Sequence, residues 1–154
     1  MQSKSGHDIT PLTAERIDAL AAALSPEEAR VLLRKGTEPA FCGNLVDNHR
    51  EGVYACRLCG LPLFSSHAKF DSGTGWPSFF QPVDREHVRE ITDSSHGMRR
   101  TEITCARCDS HLGHVFHDGP RPTGLRFCLN SVSLRFFDEA AELPPESRPS
   151  APAP

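Results

Sequence analysis

The stretch Gly124-Leu-Arg-Phe-Cys-Leu-Asn-Ser-Val-Ser-Leu-Arg135 alternates apolar and polar residues. A period of two places Leu125, Phe127 and Leu129 on one face of a strand and Arg126, Cys128 and Asn130 on the other. The apolar face buries the strand. The other face holds a thiol between a cation and an amide, which suits chemistry better than packing. Near Asn130 and Ser131 the apolar phase slips to even positions (Val132, Leu134, Phe136), so a β-bulge or strong twist is expected there.

Outward from this strand lie two cysteine pairs, Cys56-Arg-Leu-Cys59 and Cys105-Ala-Arg-Cys108. Their spacing is that of a tetrahedral four-thiolate site with metal–sulfur bonds of about 2.3 Å. Gly60, Asp109 and Ser110 follow the pairs as turn formers, so backbone amides can point at the sulfurs. A closed four-cysteine site has no open position for substrate, and its expected role is structural. Zinc is favoured over an iron–sulfur cluster, although spacing allows either. The 45 residues between the pairs exceed the gap of a compact ribbon, so the metal should staple distant strands.

The rest of the chain organises around these elements. Leu12 to Leu24 is helical in composition, and Ser25-Pro26-Glu27-Glu28 restarts a helix with a capping box that Gly36 ends. The two short helices are expected to clasp the main body. Val53–Ala55, Leu61–Phe64, His87–Thr92, Met98–Thr104 and Leu125–Phe137 read as strands, and Asp71–Ser78 as a Gly/Ser/Pro loop. The fold class is therefore mainly antiparallel β with short N-terminal helices, stapled by zinc. Residues 1–11 read as a flexible start, 12–137 as one domain and 138–154, with five prolines, as a disordered tail.

A net charge of −3 over 154 residues offers no electrostatic case for nucleic acid or an anionic membrane. No apolar run approaches the roughly 20 residues of a membrane span, and no secretory or transit pattern opens the chain. A reducing, cytoplasmic location is expected, where six cysteines serve as metal ligands or redox groups. His7, His49, His67, His87 and His96 carry no motif and read as surface groups, and His117 reads as a solvated side chain.

Gly73-Thr-Gly-Trp-Pro-Ser-Phe79, His111-Leu-Gly-His-Val-Phe116, Asp118-Gly-Pro120 and Arg126-Phe-Cys-Leu-Asn-Ser131 together resemble the methionine-R-sulfoxide reductase family of the B type. Both cysteine pairs, Gly36-Thr-Glu38, Asp47-Asn48 and Glu51-Gly-Val-Tyr54 also match, so the resemblance runs from about Leu24 to Phe137. It implies a fold of two twisted antiparallel sheets and reduction of the R epimer of methionine sulfoxide in peptides and proteins. Cys128 is implied as the nucleophile, left as a sulfenic acid when methionine departs. His114 and Asn130 are implied in the catalytic pocket, with His111, Asp118 and Arg126 around it. Trp76, with Phe116, is implied to receive the substrate. Residue chemistry agrees: a thiolate is the nucleophile, nearby positive charge favours it, and the sulfoxide oxygen needs an acid before it can leave. Either histidine can be that acid.

Many relatives carry a resolving cysteine before the Trp-Pro motif, where this chain has Thr74. Cys42 is the remaining cysteine and the resolving candidate. It would attack the sulfenic acid, leaving a disulfide for thioredoxin to open. The alternative is a buried Cys42 and direct reduction by thioredoxin or a small thiol. The expected enzyme is a monomer. A zinc-binding recognition module would instead show a basic or aromatic stripe, and a redox sensor would not depend on Trp76 or His114.

Overall fold

The structure is a computed structural model describing residues 1–94, 97 and 99–149. His96 and the first residue expected in the fourth strand, Met98, lie outside the described residues, as do residues 150–154 of the tail. The described strands form two antiparallel sheets, as the resemblance implies. The smaller is ordered β2-β1-β9, from β1 (Gly52–Cys56), β2 (Pro62–Ser65) and β9 (Leu134–Asp138). The larger is ordered β3-β4-β8-β7-β6-β5, comprising β3 (Lys69–Phe70), β4 (Ser78–Phe79), β5 (Val88–Asp93), β6 (Arg100–Cys105), β7 (His111–Phe116) and β8 (Arg126–Leu129).

The stretch 124–135 supplies both sheets. In β8, Phe127 and Leu129 are buried while Arg126 and Cys128 are half-exposed. Phe127 joins an aromatic core with Phe64, Phe79 and Tyr54, in which Phe64 stacks on Phe79 at 4.6 Å. Four buried aromatics contribute several kcal/mol of apolar burial, so the face of β8 that carries Arg126 and Cys128 rests on a packed aromatic floor.

The expected bulge is instead a 3-10 turn, Ser131–Ser133, through which the chain leaves the larger sheet and enters β9. Changing sheets demands a sharper redirection than a bulge provides. Ser131 and Ser133 are buried there, and Val132, read as part of the apolar face, is half-exposed. The serine hydroxyls suit that reversal: Leu45 N donates to Ser131 Oγ at 3.3 Å, and Ser133 Oγ donates to His111 O at 2.9 Å. A short polar side chain can satisfy backbone groups that a strand ladder no longer reaches.

Helix α1 spans Ala14–Ala21 and α2 spans Pro26–Leu32. The capping box is present: Glu28 N donates to Ser25 Oγ, and Ser25 N donates to Glu28 Oε1 at 2.8 Å. The left-handed residue that ends α2 is Lys35 (φ 57°), and Gly36 N beyond it closes on Arg30 O. Ile17, Leu20 and Leu24 pack on the core, and Val31 and Leu32 are buried. The two helices do clasp the sheets.

Both ends pack more closely than their composition suggests. Ser3, His7 and Ile9 are buried, and His87, read with His7 as a surface group, is fully buried. The His87 ring bridges Pro62 O and Ser3 Oγ, and its neighbour His7 meets it edge-on. Arg107 donates to Asp8 O, Cys59 O and Glu146 O, while Ser147 Oγ donates to Gly60 O. Asp8, Glu146 and Ser147 thus lie against the cysteine turns. Composition predicts looseness from the chain's own hydrophobicity, and these contacts depend on hydrogen bonds offered by distant carbonyls.

Candidate active site

The cysteine pairs sit at matching corners. Cys56 ends β1 and Cys59 lies in the turn to β2, while Cys105 ends β6 and Cys108 lies in the turn to β7. Each turn closes on a left-handed residue, Gly60 (φ 80°) and Asp109 (φ 62°), whose N–H returns to Cys56 O and Cys105 O respectively. Gly60 adopts that conformation freely, and aspartate is among the few residues that tolerate it. All four Sγ atoms are buried and lie within 4.8 Å of one another; Cys56–Cys108 and Cys59–Cys105 are both 3.5 Å. A tetrahedron with bonds of about 2.3 Å has edges of about 3.8 Å, so the four thiols fit one ion. Such an ion joins the smaller sheet to the larger.

Cys128 faces a cleft of about 260 Å³ lined by Thr37, Thr74, Trp76, His114, Phe116, Arg126 and Asn130, among others. That is below the roughly 300–1,000 Å³ of pockets for drug-sized ligands, and it suits a single side chain. His114 is the cross-strand partner of Cys128, and Gly113 precedes it because any side chain there would strike the Cys128 carbonyl. Burial pushes the Cys128 thiol above its ordinary range, opposed by the Thr74 hydroxyl and by Arg126. The cation expected to favour the thiolate is therefore outweighed by desolvation. It is also shared: Arg126 Nε donates to Asp118 at 2.9 Å, and its guanidinium stacks over Phe116 at 4.4 Å.

Each histidine has a carboxylate partner that the linear pattern does not mark. His111 Nδ1 lies 2.8 Å from Glu102 Oε2, and Glu102 Oε1 accepts from Lys35 Nζ at 3.1 Å. His114 Nε2 lies 3.0 Å from Asp93 Oδ2. Such pairs fix ring orientation and choose which nitrogen carries the proton. The rings meet at 5.6 Å. Burial lowers the His111 pKa, while Glu102 opposes the shift. His111 is buried behind the cleft and His114 lines it. Glu102 reads as an ordinary polar strand residue, because its partners come from β7 and from the turn after α2.

Trp76, Phe116, His114, Asn130 and Arg126 converge on Cys128. Asp118 does not: its side chain is 67% exposed and holds Arg126 from outside, which in turn keeps its carboxyl below the usual range. Asn130 is buried, accepting from Glu38 N and donating to Leu112 O. Cys42 is exposed, and the adjacent Phe41 N donates to Gly75 O in the Trp76 loop. Thr74 Oγ1 lies 4.0 Å from Cys128 Sγ.

The cleft thus brings one accessible thiol together with an indole, a carboxylate-held histidine and a guanidinium. Comparison with known proteins gives the class. The SelR domain family matches residues 24–138. The chain is 60% identical over 137 residues to a peptide methionine sulfoxide reductase MsrB of Xylella fastidiosa (strain M23), covering 89% of this chain and 88% of that protein. Over 142 residues it is 58% identical to the protein of the same name from Caulobacter vibrioides (strain NA1000 / CB15N), covering 92% and 89%. A Thiobacillus denitrificans protein of that name is 63% identical over 115 residues, covering 75% and 87%. The chain belongs to the SelR family, the methionine-R-sulfoxide reductases of the B type.

Proposed function

We propose that this enzyme reduces the R epimer of methionine sulfoxide in oxidised peptides and proteins, a repair reaction, with Cys128 as nucleophile. The observation that carries the reading is the placement of Cys128 in a side-chain-sized cleft beside Trp76 and opposite His114. The Trp76 face receives the substrate methyl group, with Phe116 beside it, and the polar side of the cleft takes the oxygen. His114, held by Asp93, protonates the sulfoxide oxygen; His111, held by Glu102, supports it from behind. Asn130 borders the same site, and Asp118 acts by holding Arg126. As the Cys128 thiolate attacks, the sulfoxide sulfur gains two electrons and its oxygen passes to Sγ. The products are methionine and a sulfenic acid.

Cys42 then attacks the Cys128 sulfur, expelling water and forming a disulfide that thioredoxin reduces. Cys56, Cys59, Cys105 and Cys108 hold one structural zinc, which supplies cross-linking and no step of the reaction. The enzyme works as a cytoplasmic monomer. Among the described residues no helix is long and apolar enough to cross a membrane.

With dithiothreitol as reductant, the separated epimers of a blocked methionine sulfoxide test this reading: the R epimer should turn over and the S epimer should not. Trp76→Ala should lower kcat/KM on the R epimer about tenfold or more, while peroxide still oxidises Cys128. Full turnover in that variant would remove Trp76 from the site. Resolution has its own test. A disulfide needs sulfurs about 2.05 Å apart, and Thr74 Oγ1 already stands 4.0 Å from Cys128 Sγ. In a Cys42→Ser background, Thr74→Cys should restore thioredoxin-linked turnover by about tenfold. A persistent sulfenic acid in that double variant would mean the two positions cannot pair.

A further inference from the structure

Glu38 holds an unusual position for a carboxylate. It is 3% exposed and lies in the segment between α2 and β1. Its backbone N–H donates to Asn130 Oδ1 at 3.0 Å, and its carbonyl accepts from the Trp76 indole Nε1 at 2.9 Å. Its carboxylate Oε1 accepts from Val132 N at 3.0 Å, in the turn that follows β8. Among the described residues the other oxygen, Oε2, has no hydrogen-bond partner. Burying a carboxylate oxygen without a partner costs stability.

One residue therefore touches three parts of the cleft: the Trp76 wall, Asn130, and the turn that carries the chain away from Cys128. We propose that Glu38 is a positioning residue of this site. Its hydrogen bonds hold Trp76, Asn130 and the turn after β8 in a fixed frame around Cys128. The inference rests on the reductase reading.

Two variants test the frame. Glu38→Gln keeps an acceptor for Val132 N and the backbone contacts. Glu38→Ala removes the acceptor. Trp76 is the only tryptophan, so intrinsic fluorescence reports on the wall directly. Glu38→Ala should shift Trp76 emission to the red and raise KM for the R sulfoxide about tenfold, with a smaller change in kcat. Glu38→Gln should keep wild-type emission and KM, because it keeps an acceptor for Val132 N. Wild-type emission and KM in Glu38→Ala, or equal impairment in both variants, would each overturn the proposal. If the wild-type protein reduced no sulfoxide, the reductase reading would fall, yet emission would still decide the role of Glu38.

Discussion

Cys128→Ser should lower turnover of the R sulfoxide by about 10⁴-fold, to background. A serine hydroxyl ionises far too weakly to attack sulfur at neutral pH, and its oxygen cannot take up the sulfoxide oxygen as sulfenic acid. The fold should survive. Cys128 is half-exposed in β8, and its buried neighbours Phe127 and Leu129 are untouched. Serine is no larger than cysteine and can bond to the Thr74 hydroxyl, so stability should change by no more than about 1 kcal/mol. The check is steady-state reduction with dithiothreitol, beside a thermal melt. A variant that melts like wild type and keeps a tenth or more of the activity would show that the nucleophile lies elsewhere. The other cysteine outside the metal cluster, Cys42, would then be the first to test.

Loss of one metal ligand should have the largest effect on stability. Cys105 and Cys59 close a loop of 45 intervening residues, and a cross-link of that length restricts the unfolded chain by about 4 kcal/mol. For a domain of this size that corresponds to a fall in Tm of about 8–16 °C. Cys105→Ser should therefore lose the metal and melt well below wild type. The wild-type protein should release one equivalent of zinc to a chromophoric chelator on unfolding. Because an ion held there would join β1–β2 of the smaller sheet to β6–β7 of the larger, its loss should weaken the sheet–sheet contact first. Cleavage by protease near residues 60 or 109 should then precede global unfolding. A wild-type protein without metal, or a variant melting within about 2 °C of it, would leave the four thiols as ordinary buried cysteines.

Much of this architecture can be read along the chain. Period-two alternation identifies β8 and its two faces, and the structure keeps Phe127 and Leu129 inward with Arg126 and Cys128 outward. The capping box at Ser25 and Glu28 places the start of α2, since caps are set by residues three apart. The cysteine pairs identify the four-thiol cluster because each pair is local and only their meeting is not. The long motifs identify the family, over a span that coincides with the matched residues 24–138.

What only the tertiary structure decided is which distant groups meet. The phase slip at Asn130 is visible in sequence, but whether it is a bulge or a change of sheet depends on β1 lying ready to pair with β9. His7 and His87 carry no motif and are buried, because each answers a partner far away in the chain. Glu102, Asp93 and Glu38 look like ordinary acids until β7, β8 and the Trp76 loop bring histidines, an indole and an amide to them. Periodicity and spacing report on interactions between near neighbours. Hydrogen-bond partners and desolvation are set by residues tens of positions apart, so they come into being only when the sheets pack.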